Sequence, residues 1–235
     1  MEQSPVEPNI ATIMRKRIES RYQGRDLENY LNHVQRYALS LTFLPDVGGH
    51  VVDLGTGPGL FAELVREFRP YQLEAVNFEF NLEKDSAPYR DEEFDGVLLM
   101  EVLEHFAVDP MFALAEVNRI LKHDGFLFLS TPNLASWRAL HAAINYRSPY
   151  LFGIFMANQS TDRHNREYTV EEVHQLLVAA GFRIEWIKAL SVYPESATLQ
   201  PIPGVPTENR GDTTFCLCRK EGPVRDRYPE WLYWS

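Results

Sequence analysis

The sequence predicts an α/β protein built on a doubly wound, mostly parallel sheet, with helices ahead of it. Three observations carry this. Short apolar runs alternate with amphipathic stretches from His50 onward, the pattern of strands covered by helices on both faces. Gly55, Gly57 and Gly59 crowd the junction between one such run and the next amphipathic stretch. The chain has 235 residues, 45% hydrophobic and 24% charged, the size and composition of one globular domain with additions.

Residues 1–49 read as an N-terminal helical extension. From Asp26 to Leu44, the residues Leu27, Tyr30, Leu31, Val34, Tyr37, Ala38 and Leu41 recur at three-and-four spacing until Pro45, Gly48 and Gly49 end the pattern. The main domain spans 50–222. His50–Leu54 is a strand, and Leu60–Phe68 a helix with Leu60, Leu64, Val65 and Phe68 on one face. Leu73–Phe80 and Phe94–Met100 are strands, the second a buried one. Asp109–His123 is a helix with Asp109 as N-cap, Pro110 at its first position and Gly125 past its end. Phe126–Ser130 is a strand. Thr169 with Glu172 forms a capping box that opens the helix Thr169–Ala180, and Gly181 closes it. Phe182–Leu190 and Thr213–Arg219 are the last strands, joined by a connection with prolines from Pro194 to Pro206; residues 223–235 form a tail.

Composition excludes several classes. No apolar run approaches the roughly 18 residues of a membrane helix, and the first residues, MEQSPVEPNIATIMRKR, lack the basic-then-apolar order of a secretion signal. The expected compartment is the cytoplasm. Cys216 and Cys218 lie two apart on one strand face and read as packed free thiols. A net charge of −10 argues against an extended nucleic-acid surface, which draws on clustered Lys and Arg.

The stretch VVDLGTGPGLFAEL, residues 51–64, is strand, glycine-rich turn and helix, the ligand-binding corner of a doubly wound sheet. A tight turn for helix packing explains one or two glycines; close backbone approach to a ligand explains three. Dinucleotide sites space their glycines G-x-G-x-x-G. Here the third glycine comes one residue earlier and Asp53 precedes the set, which disfavours a nicotinamide-dependent oxidoreductase. A carboxylate at Asp53 repels a pyrophosphate and suits a cationic amino-acid group.

This D-x-G-x-G-x-G turn resembles the cofactor loop of class I S-adenosylmethionine-dependent methyltransferases, whose fold is a Rossmann-like sheet. EEFDGVLLMEVLEHF (92–106) resembles the family's fourth strand and following turn, and RILKHDGFLFLSTPN (119–133) its fifth strand, with His123 and Asp124 in place of the usual Pro and first Gly. DRHNREYTVEEVHQLLVAAGF (162–182) and DRYPEWLY (226–233) resemble a bacterial subgroup associated with surface-glycan or small-molecule pathways. The resemblance implies a cofactor set of Asp53, Gly55, Thr56, Gly57, Gly59 and Met100, with Asn77 or Glu79 on the ribose and Asn81 and Leu82 near the adenine. The family's usual ribose carboxylate falls near Asn77, and only 17 residues separate Asn77 from Asp95. That is too short for a third strand plus a full helix, so the middle is merged or missing. A degenerate, non-catalytic binding or assembly protein is the alternative.

EVLEH places Glu101, Glu104 and His105 at i, i+3 and i+4, one face if the segment is helical. Such a group could hold a cation, act as a base, or serve a helix start. The resemblance to ubiquinone-biosynthesis O-methyltransferases and small-RNA 2′-O-methyltransferases, which carry similar clusters, implies a magnesium-like ion held by Glu101, Glu104, His105 and His164, the histidine ahead of REYT. It also assigns catalytic roles to His105 and Glu101. His33, His50, His123, His141 and His174 read as surface or capping groups, and Trp137–Phe155 as a lid that either walls an acceptor pocket or only covers the sheet. The expected activity is transfer of a methyl group from S-adenosylmethionine to a hydroxyl of a small acceptor, a sugar or related metabolite.

Overall fold

A computed structural model describes residues 8–55, 58–76, 80–149 and 164–234. Three helices come first, α1 (Pro8–Arg21), α2 (Gly24–Asn32) and α3 (Val34–Phe43). The amphipathic run expected to be continuous from Asp26 is broken at His33, whose backbone N–H turns back to Tyr30 O at 3.1 Å. The helix restarts when Tyr37 N–H bonds His33 O at 3.0 Å. The break redirects α3, and one ring ends at the corner.

The sheet is formed by β1 (Gly49–Asp53), β2 (Tyr71–Ala75), β3 (Phe94–Met100), β4 (Leu121–Pro132), β5 (Phe182–Leu190) and β6 (Thr213–Lys220) in the order β2-β1-β3-β4-β6-β5. Of these, β6 alone runs against the others. The expected mostly parallel, doubly wound sheet is present. Its helices are α4 (Leu60–Phe68), α5 (Pro110–Ile120), α6 (Trp137–Ile144), α7 (Val170–Ala179) and the short α8 (Pro194–Ala197). Strand periodicity sorts the core into two faces. Val52, Val97, Leu99, Leu127, Leu129, Cys216 and Cys218 pack with α5 and α7. Val51, Leu98, Met100, Phe126, Phe128, Phe215 and Leu217 pack with α1, α3 and α4. Both cysteines are buried free thiols, as expected. Among the described residues no helix is long and apolar enough to cross a membrane.

Several boundaries differ from expectation. Helix α5 stops at Ile120 rather than His123, because Glu92 and Glu93 N–H groups take the carbonyls of Arg119 and Ile120 at 2.9 and 2.8 Å. Strand β4 therefore starts at Leu121, with Asp124 at φ +60°, a conformation that Asp tolerates better than most side chains. The expected lid contains α6, opened by Ser136 Oγ accepting Ala139 N–H at 3.1 Å; the part from Tyr150 to Phe155 lies outside the described residues. Strand β2 ends at Ala75, not Phe80.

The shortened middle has a visible anchor. No strand lies beyond β2 among the described residues, and the chain before β3 is clamped to α5 instead. Arg119 donates to Tyr89 O (2.8 Å) and Ala87 O (2.9 Å), Ala87 N–H donates to Glu116, and Tyr89 OH donates to Glu74 at 2.6 Å. The C-terminal tail is tied nearby. Arg227 and Tyr233 both reach Asp109, whose Oδ1 also caps α5 through Phe112 N–H at 2.9 Å. Connections leave β1 toward β2 and return across it to β3. The carboxyl ends of β1 and β3 thus form a switch point, where ligands of such sheets bind.

Candidate active site

Asp53 ends β1 fully buried, and its Oδ1 accepts Gly55 N–H at 2.9 Å. Gly55 is a glycine for a definite reason. A Cβ there would lie 2.7 Å from Met100 O and 2.8 Å from Met100 N, so the turn presses on the end of β3. Gly59 is extended at φ −122° and caps α4, its carbonyl accepting Glu63 N–H at 3.1 Å. Thr56, Gly57, Asn77 and Glu79 lie outside the described residues. Asn81 is exposed in a turn, its Oδ1 accepting Glu83 N–H at 3.0 Å. Leu82 and Met100 are both buried, on opposite faces of the sheet.

Glu101 follows β3 at φ +54°, where a non-glycine residue is uncommon. Its N–H continues the ladder to Ser130 O at 2.8 Å, while its carboxylate takes Ser130 Oγ at 2.8 Å and Arg36 at 2.6 Å. The expected shared helical face is therefore not formed. Strand pairing runs through Glu101, its left-handed backbone turns the chain, and a separate 3-10 turn, Leu103–His105, carries the other two residues.

That turn is held closely by the chain ahead of α7. Glu104 O accepts Asn165 and Arg166 N–H at 2.7 and 3.2 Å, and Asn165 Nδ2 donates to His105 O at 2.7 Å. These bonds bring His164 over from the chain ahead of α7. The His105 and His164 rings meet edge to face at 5.2 Å. A carboxylate oxygen of Glu104 and one nitrogen from each ring lie within 4.8 Å of one another. Glu104 is fully buried; its Oε2 accepts Thr131 Oγ1 at 2.9 Å, and its Oε1 has no hydrogen-bond partner among the described residues. Burial, and then the neighbouring charge of Glu101, push the Glu104 carboxyl well above the ordinary range.

These groups face a cavity of about 430 Å³, whose lining also includes His33, Arg36, Arg138, Glu167 and Tyr193. His33 stands at the C-cap of α2 and the N-cap of α3, a capping position as expected, but its side chain makes no capping bond and its ring lines the cavity instead. It sits at the α2–α3 corner, and burial, then the nearby Arg36, lower its pKa to about 4. Its Nδ1 lies 3.4 Å from Tyr193 OH, a long hydrogen-bond contact. Tyr193 in turn accepts from Arg36 at 3.0 Å.

A family model described as a methyltransferase domain matches residues 22–186. The chain belongs to that methyltransferase family. Solved structures agree on the fold: the class I S-adenosylmethionine-dependent methyltransferase fold is shared with a protein of Thermotoga maritima (22% identical, TM-score 0.53, covering 88% of this chain and all of that one). A SAM-dependent methyltransferase from Archaeoglobus fulgidus is similar too (16% identical, TM-score 0.53, covering 89% and 99%). Among curated relatives, the ubiquinone biosynthesis O-methyltransferase of Hydrogenovibrio crunogenus is 33% identical over 148 residues, covering 59% of this chain and 55% of that one. That of Xanthomonas campestris pv. campestris is 32% identical over 117 residues, covering 41% and 48%. The chain thus spans about half the length of the curated relatives it matches.

The methyltransferase domain brings Asp53, Gly55 and Met100 together at the switch point and Glu104, His105 and His164 beside it, with Glu101 diverted to Arg36. Arg36, Tyr193 and Glu167 were not legible as site residues, whereas Arg138 falls in the Trp137–Phe155 stretch expected to wall an acceptor pocket or cover the sheet. Arg36 and Tyr193 come from segments remote from the motifs, so no spacing links them. Glu167 did carry a signal: it stands three residues after His164.

Proposed function

We propose that this methyltransferase moves a methyl group from S-adenosylmethionine to a hydroxyl oxygen of a small acceptor, a sugar or related metabolite, with a magnesium-like cation held by Glu104, His105 and His164. One observation carries the reading. A buried carboxyl group whose Oε1 has no hydrogen-bond partner among the described residues, with His105 Nε2 at 3.8 Å from it, stands within 4.8 Å of two imidazole nitrogens beside the cofactor corner, and a buried polar atom without a hydrogen bond is costly unless a cation or donor arrives. The O-methyltransferase names of the curated relatives support the same atom as acceptor.

The residues at the corner suit the cofactor. Asp53 offers buried negative charge to a cationic amino-acid end, and the turn at Gly55 has no room for a side chain. Asn77 or Glu79 would hold the ribose, and Asn81 and Leu82 would stand near the adenine. When bound, S-adenosylmethionine supplies the electrophilic methyl and a divalent cation lowers the cost of removing the hydroxyl proton. The chain's own work is alignment for an in-line displacement. Thr131 holds Glu104, Asn165 holds the His105 turn, and the His33–Tyr193–Arg36 wall confines the acceptor.

Calorimetry with S-adenosylmethionine, its demethylated product and NAD tests the cofactor. The first two are expected to bind and NAD not to. Binding of NAD alone would overturn the reading, and binding of none would make this a methyltransferase-fold binding protein. For the cation, methyl transfer to monosaccharides and dihydroxyphenols is expected to stop in excess chelator and to return with magnesium or manganese. His105→Ala is expected to lose at least roughly 100-fold in activity with cofactor affinity unchanged. Full activity in chelator would remove the cation and leave His105 as the base. Full activity of His105→Ala as well would reduce the cluster to a structural turn.

A further inference from the structure

We infer that Glu167 is the positioning residue of this site, fixing His164 with its proton on Nδ1 so that Nε2 is left as the lone-pair nitrogen of the ring. The inference rests on the reading of Glu104, His105 and His164 as the reactive cluster, and it adds a residue outside the cluster itself.

Glu167 is 1% exposed, yet it is not satisfied in the way buried carboxylates usually are. Its Oε1 lies 2.9 Å from His164 Nδ1, and its Oε2 has no hydrogen-bond partner among the described residues. Arg138 approaches the same Oε1 at 3.5 Å, a distance for charge balance rather than a hydrogen bond. Arg138 spends its other terminal nitrogen on Pro149 O at 3.0 Å. The short contact of Glu167 is therefore with the imidazole. An acceptor-only carboxylate requires a proton on Nδ1. A neutral imidazole has one proton, so Nε2 is left as the lone-pair nitrogen.

Removing a charge from water for one ring hydrogen bond and a more distant guanidinium is expensive. The same expense is ordinary around ligand histidines, where a carboxylate behind the ring sets tautomer and orientation and its loss lowers metal affinity about 10–100-fold. Backbone geometry completes the arrangement. Asn165 and Arg166 N–H groups pin the strip between His164 and Glu167 to Glu104 O, and Tyr168 is buried behind it. The dyad is rigid at both ends.

The test begins with the wild-type chain. Imidazole 15N NMR at a pH where histidines are neutral, with His164 assigned by His164→Gln, is expected to show His164 protonated at Nδ1. Glu167→Gln is expected to give a mixture of tautomers. Manganese affinity, read by electron paramagnetic resonance of the free ion, is expected to fall 10–100-fold in that variant, with affinity for S-adenosylmethionine and the thermal melt little changed. A wild-type His164 protonated at Nε2 would overturn the inference without needing any variant. So would a folded Glu167→Gln that binds manganese as the wild type does. If the wild type binds no manganese, the cation reading fails on its own, and the tautomer measurement decides the role of Glu167.

Discussion

Gly55→Ala is expected to melt several degrees lower than the wild type and to bind S-adenosylmethionine at least tenfold more weakly. The added Cβ meets Met100 O at 2.7 Å and Met100 N at 2.8 Å. Both are backbone atoms of a central strand paired on each side, so neither can swing away as a side-chain tip would. Overpacking of this kind costs about 1–3 kcal/mol, and each kcal/mol lowers Tm by roughly 2–4 °C for a chain of this size. Relief can come only by moving the turn off β3, which displaces the surface offered to the cofactor. Gly48→Ala is the control. Its nearest neighbour would be Pro70 O at 3.7 Å, and its effect is expected within about 0.5 kcal/mol. Equal melting temperatures for the two variants would show that the close approach at Gly55 is not maintained in solution.

Arg36→Met is expected to destabilise the protein by about 3–5 kcal/mol in urea unfolding, the cost of leaving one member of a buried ion pair behind. The guanidinium and the Glu101 carboxylate are 10% and 16% exposed and 2.6 Å apart. Methionine fills much of the volume but gives nothing to Glu101 or to Tyr193 OH. Adding Glu101→Gln removes the stranded charge, so the double variant is expected to be more stable than the sum of the single losses, with a coupling of about 0.5–3 kcal/mol. Strict additivity would mean that the two side chains do not interact in the folded protein.

What the sequence made legible was local. A strand, a glycine turn and a capped helix each announce themselves within a few residues, and β1, α4, β3 and α7 lie where pattern and capping put them. Boundaries moved where a distant segment competed for backbone groups, as when Glu92 and Glu93 took the last carbonyls of α5. The same limit governs the site. Glu104 and His105 share a turn, and His164 was reachable through its motif. Glu101 lines the same cavity but turns to Arg36, because a left-handed backbone, not a helix, follows β3. Arg36 looked like one polar position in an amphipathic run. Its burial depends on the turn at His33 and on Tyr193, some 157 positions further on, and hydrophobic periodicity contains neither.

The reversed strand has a consequence for how the chain is made. Among the described strands β6 is the last in chain order, yet it lies inside the sheet, between β4 and β5. β5 pairs with β6, and among the described residues no strand pair joins β5 to β4. A nascent chain that has not reached Thr213 can assemble β2, β1, β3 and β4, but β5 emerges without a neighbour, and the far edge of β4 stays open. Open edges invite pairing with other chains. The interval between translating Leu190 and translating Lys220 is thus the vulnerable one, and the proline-bearing connection falls within it. Translation pauses there would prolong exposure of two unpaired edges, whereas pauses before β5 would leave one.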